Sequence, residues 1–144
     1  MVETLHVFFA DEYLGDLIHD SNGDKYDYIQ KTNSQHAEDW NYITNADRGP
    51  EQFKDTLLHT RVIPPDRIDC REILRRLGLH EYDPWKIMKI SHFITDDLFW
   101  ASEDMDPDWF WTHHFLASYH PKYPEKTGKP MYSIVVEIDD TSIY

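Results

Sequence analysis

One cysteine, five glycines, few cations and no long apolar run mark this chain of 144 residues, and each scarcity excludes something. Cys70 stands alone, so no internal disulfide can form and a cysteine-ligated zinc site lacks its thiolates; the expected compartment is the cytosol. Gly15 and Gly23 lie too far apart for a phosphate-cradling loop, and no Gly-Lys-Ser/Thr triplet occurs, which removes the common nucleotide pockets. No stretch approaches the roughly 18 apolar residues of a membrane-spanning helix. Met1-Val2-Glu3-Thr4 is neither a basic nor an apolar leader, so neither export nor a membrane role is expected. Against 27 Asp and Glu stand only 14 Lys and Arg, a formal net charge of -13. Such a surface repels a phosphate backbone, so direct nucleic-acid binding is not expected.

Apolar residues are nonetheless plentiful: 40% of the chain is hydrophobic and 15% aromatic, a composition that folds despite its charge. At this length one core and a single domain over residues 1–144 are expected. Leu5, Val7 and Phe9 alternate with polar neighbours, and Tyr13-Leu14-Gly15-Asp16-Leu17-Ile18 reads as a second strand. Asn22-Gly23 suits the positive φ angles of a type I′ turn, and Lys25-Tyr26-Asp27-Tyr28-Ile29 alternates again beyond it. The chain therefore opens with a three-stranded antiparallel meander. Residues 30–47 are polar with isolated Trp40, Tyr42 and Ile43, which predicts a loop or a short irregular helix.

Three helix starts place a proline where its missing N–H costs nothing: Gly49-Pro50, Asp83-Pro84 and Asp106-Pro107. A fourth helix is expected after Pro64-Pro65, capped by Asp66 and ending at Gly78. The β-branched run 131–138 predicts a buried C-terminal strand. The expected fold class is α+β, an antiparallel sheet of the N-terminal meander plus the C-terminal strand, packed against three or four helices.

Catalytic signals are weak. His113-His114 point to different helix faces and no His-Glu-x-x-His accompanies them, so neither a metal nor a cofactor is expected. Cys70, among Ile68, Ile73 and Leu74, reads as a buried thiol rather than a nucleophile. Twenty-seven acidic residues guarantee carboxylate pairs by chance, which empties that pattern of meaning.

Two surfaces remain. Residues 91–120 hold Asp96, Asp97, Glu103, Asp104, Asp106 and Asp108 with no Lys or Arg, interleaved with Phe99, Trp100, Trp109, Trp111 and other aromatics. Either these rings form the core with a solvated acidic face, or some remain outside as an apolar anchor ringed by acid. Trp109, Phe110 and Trp111 span most of a helix circumference, which favours leaving one of them outside. The second surface is the stripe Arg67, Arg71 and Arg75, spaced four apart, which either pairs with Asp69, Glu72 and their neighbours or contacts an anion.

The order of elements resembles the N-terminal subdomain of the HipA-type toxin kinases. Leu5-His6-Val7, Leu14-Gly15-Asp16-Leu17, Gly23 and Tyr26-Asp27-Tyr28 follow that family's opening strands. Phe53 through Leu58, Pro64, the Arg71–Arg76 cluster, Leu77-Gly78-Leu79 and Asp83-Pro84-Trp85 follow its later helices. The resemblance covers residues 4–90 plus a closing strand at 132–138 and implies that 91–127 is an insertion. No kinase portion is present, so it implies a stand-alone module touching a kinase-like or toxin–antitoxin partner.

The expected function is thus an acidic protein-binding module, an inhibitor, antitoxin-like factor or regulator, docking on a basic protein through Asp96, Asp97, Trp100, Asp104, Asp106, Asp108, Trp109 and Trp111. A variant is nucleic-acid mimicry of the phage counter-defence type, aimed at a nucleic-acid-binding protein. The alternative from another class is a small hydrolase or transferase using His92, Asp96, Asp97 and His113.

Overall fold

In the computed structural model, which describes residues 1–117 and 126–130, alternation becomes three strands. Strand β1 (Val2–Phe9) buries Leu5 and Val7, and β2 (Glu12–Asp20) buries Leu14, Leu17 and His19. Strand β3 (Lys25–Gln30) turns Tyr26 into the same core. The turn between β2 and β3 is longer than the two-residue form predicted, with positive φ at Gly23 and Asp24 rather than at Asn22 and Gly23. Leu5 opposes Leu17 and Val7 opposes Gly15. The register then shifts, so that Phe8 faces Tyr13 and Leu14 is the extra residue on β2.

The fourth strand is β4 (Phe99–Ser102), giving the antiparallel order β3-β2-β1-β4. The α+β class with an antiparallel sheet is as expected, and a segment assigned to an insertion adds a strand against β1, pairing Trp100 with Phe8 and Phe99 with Phe9. All four β4 residues are buried, so no polar alternation betrays the strand in the sequence. The predicted strand 131–138 lies outside the described residues.

Residues 30–47 hold a regular helix, α1 (Gln35–Thr44), where a loop or irregular helix was predicted. Ser34 caps it by accepting from the Ala37 N–H, Asn45 ends it in the left-handed region, and Ala37, Trp40 and Thr44 form a narrow buried stripe. Helix α2 (Pro50–Arg61) has proline in its first turn as predicted and buries Phe53, Leu57 and Arg61 at four-residue intervals. Helix α3 (Cys70–Arg76) is seven residues long and begins after Asp69, so Asp66 does not cap it. Its end is a Schellman turn: Gly78 has φ of 76°, the Leu79 N–H reaches Leu74 O at 2.8 Å and the Gly78 N–H reaches Arg75 O at 3.0 Å. Helix α4 (Pro84–Ser91) is capped by Asp83, and α5 (Trp109–His113) starts two residues beyond Pro107.

Cross-strand partners share a face, and the sheet packs on both. Leu5, Val7, Leu17 and Tyr26 meet Trp40, Phe53, Leu57, Ile73, Trp85, Met88 and Phe93 from the helical layer. Phe8 and Trp100, on the other face, stack at 4.4 Å between ring centroids and pack with Ile94 and Phe110. Cys70 is buried at the start of α3 as expected for an inert thiol, although its neighbour Ile68 is fully exposed. No helix among the described residues is long and apolar enough to cross a membrane.

Candidate functional site

The acidic–aromatic segment divides into a buried stack and an exposed ridge. Trp100 belongs to the stack: it is fully buried and its indole N–H donates to Ala10 O at 2.7 Å, which corrects its assignment to a partner-binding surface. Trp109, half-buried, lies 4.8 Å from Trp100, 4.3 Å from His92 and 5.1 Å from His113. Residues 126–130 form a strap beside it, fastened by Gly128 N–H to His113 O at 2.9 Å and Phe115 N–H to Gly128 O at 3.1 Å. Glycine is required in that strap, since a Cβ at position 128 would stand 2.3 Å from the Trp109 ring. Leu77, Ile90, His92, Trp109 and Gly128 enclose a pocket of about 350 Å³.

Trp111 remains outside. It is 42% exposed, and its indole N–H donates to Asp11 at 3.2 Å, which holds the ring without hiding it. Glu103, Asp104, Met105, Asp106 and Asp108 are exposed on the approach to α5. None of these four carboxylates has an ion-pair partner among the described residues, and Asp106 only steadies the turn by accepting from the Asp108 N–H at 3.2 Å. Met105 and Leu116, 50% and 45% exposed, add apolar area to the segment.

Asp96 and Asp97 stand elsewhere, along a groove of about 300 Å³ with Ile43, Thr60 and Arg61. Asp97 accepts both arms of the Arg61 guanidinium at 2.9 and 2.7 Å, so its charge is spent inside the protein. Arg61, buried at the end of α2, is ringed by Trp40, Phe93 and Phe99 with centroids 5.5–5.7 Å away. The predicted arginine stripe is also dispersed. Arg67 precedes α3 and pairs with Asp69, while Arg75 pairs with Glu72. Arg71 is exposed with no ion pair among the described residues, and Arg75, one turn further along α3, is engaged by Glu72.

The His92, Asp96, Asp97 and His113 combination does not assemble into one acid–base site. His92 donates from Nδ1 to Ala101 O at 2.7 Å, and burial holds its pKa below the usual imidazole value. His113 engages the Thr112 hydroxyl at 2.6 Å and stacks on Trp109, while Asp97 is held by Arg61. Among the described residues no group of three His, Cys, Asp or Glu is placed to hold a metal.

A different network, absent from the sequence reading, does form. His6 Nδ1 lies 2.7 Å from Asp16 Oδ1, and the Tyr13 hydroxyl donates to the same oxygen at 2.6 Å. Desolvation, with the Asp16 charge beside it, raises the Tyr13 pKa and keeps the phenol protonated. The available signal was same-face alternation on the first two strands, but only the register shows that His6 and Asp16 are opposite each other. No family model, curated protein or solved structure matches the chain.

Proposed function

We propose that this chain is an acidic protein-binding module that sets the ridge 103–108 and the Trp111 indole against a basic surface of a protein partner. The observation that carries the reading is the coincidence of four exposed carboxylates that have no counter-ion among the described residues with an exposed indole on the adjoining helix. Unpaired carboxylates stay hydrated until a cation arrives, so they steer encounter, and an aromatic held at one end supplies contact area at low entropic cost. The partner suited to such a ridge carries clustered Lys or Arg beside an apolar recess. A kinase-like toxin, which the resemblance to the HipA-type subdomain implies, is the specific candidate.

Affinity capture with the tagged chain, run beside an Asp104→Asn, Asp106→Asn, Asp108→Asn, Trp111→Ala variant, tests the reading. The wild type retains a basic protein at low salt and loses it as salt rises, while the variant retains none and keeps the wild-type circular dichroism. Equal capture by both chains would sink the proposal. If added duplex DNA displaces the captured protein, the ridge occupies a nucleic-acid groove and acts as a phosphate mimic.

A further inference from the structure

The two edges of the sheet are finished differently. At β4 the Ala101 N–H donates to His92 O at 3.0 Å and His92 Nδ1 donates to Ala101 O at 2.7 Å. The Phe99 N–H is taken by the Asp97 carboxylate at 3.0 Å, so this edge is closed from within. At β3 the Lys31 N–H donates to Leu14 O at 2.8 Å, which sets the phase of the β2–β3 ladder. Bonded and non-bonded pairs alternate along an antiparallel ladder. Asp27 and Ile29 therefore turn their backbone groups to β2, while Tyr26, Tyr28 and Gln30 turn theirs away from the sheet. None of these outward N–H and C=O groups has a hydrogen-bond partner among the described residues. Such a row is a template for another strand.

The side chains of the edge say which strand. Asp27, Ile29 and Lys31 alternate onto the face away from the helical layer and are all exposed, Ile29 at 46%. Neither charge has an ion-pair partner among the described residues. A charged edge guards against association when its charges repel, but here an anion and a cation flank an apolar residue at equal distances. The edge is thus its own complement. A two-fold axis at Ile29 sets that residue against itself, places Asp27 of each copy opposite Lys31 of the other, and aligns the free backbone groups of Tyr28 with those of Gln30. The neighbouring alignments are poorer. A shift of two residues opposes Lys25 to Lys31, a shift of four opposes Asp27 to itself, and a further shift runs into Asp24, whose φ of 50° ends the strand.

We propose that β3 pairs antiparallel with β3 of a second copy of this chain, centred on Ile29, so that two four-stranded sheets join into one symmetric dimer. The acidic ridge follows β4, at the opposite edge, so each dimer carries one ridge beyond either end of the joined sheet. The dimer forms whether or not a partner occupies the ridges.

Sedimentation of the full chain at about 150 mM salt, where the screening length is about 8 Å, tests the pairing. The wild type is expected to pass from monomer to dimer as its concentration rises. Asp27→Lys and Lys31→Asp each set two pairs of like charges across the axis, and each should weaken self-association by about tenfold or more, although the first makes the chain less acidic. Mixed one to one, the two variants restore both attractive pairs and should form a heterodimer, which a variant that had merely lost its fold would not do. Hydrogen exchange locates the contact: the Tyr28 and Gln30 amides should slow as the concentration rises, while the Asp27 and Ile29 amides, bonded to β2 in monomer and dimer alike, should not change. A wild type that stays monomeric up to about 300 μM, near the weak limit for a specific contact, overturns the proposal. So does self-association that either single variant leaves intact, or a mixture that fails to pair.

Discussion

His114 is fully buried between Phe110 and Phe115, with ring centroids 5.0 and 5.2 Å away. Its Nδ1 accepts from the Leu116 N–H at 3.1 Å, so the ring proton sits on Nε2, which has no hydrogen-bond partner among the described residues. Desolvation pushes its pKa down to about 4, against the opposing charge of Asp97. The folded value is thus below the ordinary imidazole value near 6.5, and the unfolded chain binds the proton first as pH falls. Stability contributed by the neutral ring is complete above about pH 6.5 and is lost progressively down to about pH 4, by roughly 3 kcal/mol. A His114→Phe variant should lose that part of the slope, and urea unfolding of both proteins between pH 4 and 7 checks it. Equal slopes would show that the imidazole takes its proton in the folded state.

At the scale of elements, the strap 126–130 is the most exacting fit. A methyl group at Gly128 would collide with a Trp109 ring already fixed between Trp100 and His113, so the strap rather than the ring must move. Gly128→Ala should cost about 1–3 kcal/mol in thermal or denaturant unfolding and alter the tryptophan emission as the strap leaves the indole. An unchanged spectrum and midpoint would mean that the strap is not held there in solution. The sequence conveyed the first three strands through period-two alternation, and two helix starts through Pro50 and Pro84. It concealed α1, whose buried stripe is only Ala37, Trp40 and Thr44 in an otherwise polar helix, and β4, which is buried on both faces. The ridge at Asp104, Asp106 and Asp108 was legible as composition. The burial of Trp100, the capture of Asp97 by Arg61 and the His6–Asp16 pair were not, since each depends on a partner brought from another element, ten to ninety residues away.

Over the whole molecule, a net charge of -13 leaves many carboxylates facing solvent, and they repel one another across the folded surface. Raising sodium chloride from about 20 to 300 mM shortens the Debye length well below the molecular diameter. The thermal midpoint of the isolated chain should therefore rise with salt, while affinity for a basic partner falls over the same range. Differential scanning calorimetry of the free chain and a titration of the captured complex read the two trends separately. A midpoint that falls with salt would show that the Arg61–Asp97 and Lys89–Glu3 pairs outweigh the surface repulsion.

Strand β1 has one neighbour that follows it at once and another, β4, that lies about ninety residues later, as the pairing of Phe8 with Trp100 shows. During synthesis the meander can form as soon as its residues emerge, whereas the second edge of β1 waits for most of the chain. Through that interval Phe8 lacks the ring that later covers it, and an unpaired strand edge invites other strands. The sheet is thus closed by a late arrival, and the same four residues that complete it also fix the point from which the acidic ridge projects. Sheet assembly and placement of the ridge are therefore a single event in the life of the chain: residues 103–108 take their position only when β4 has paired with β1.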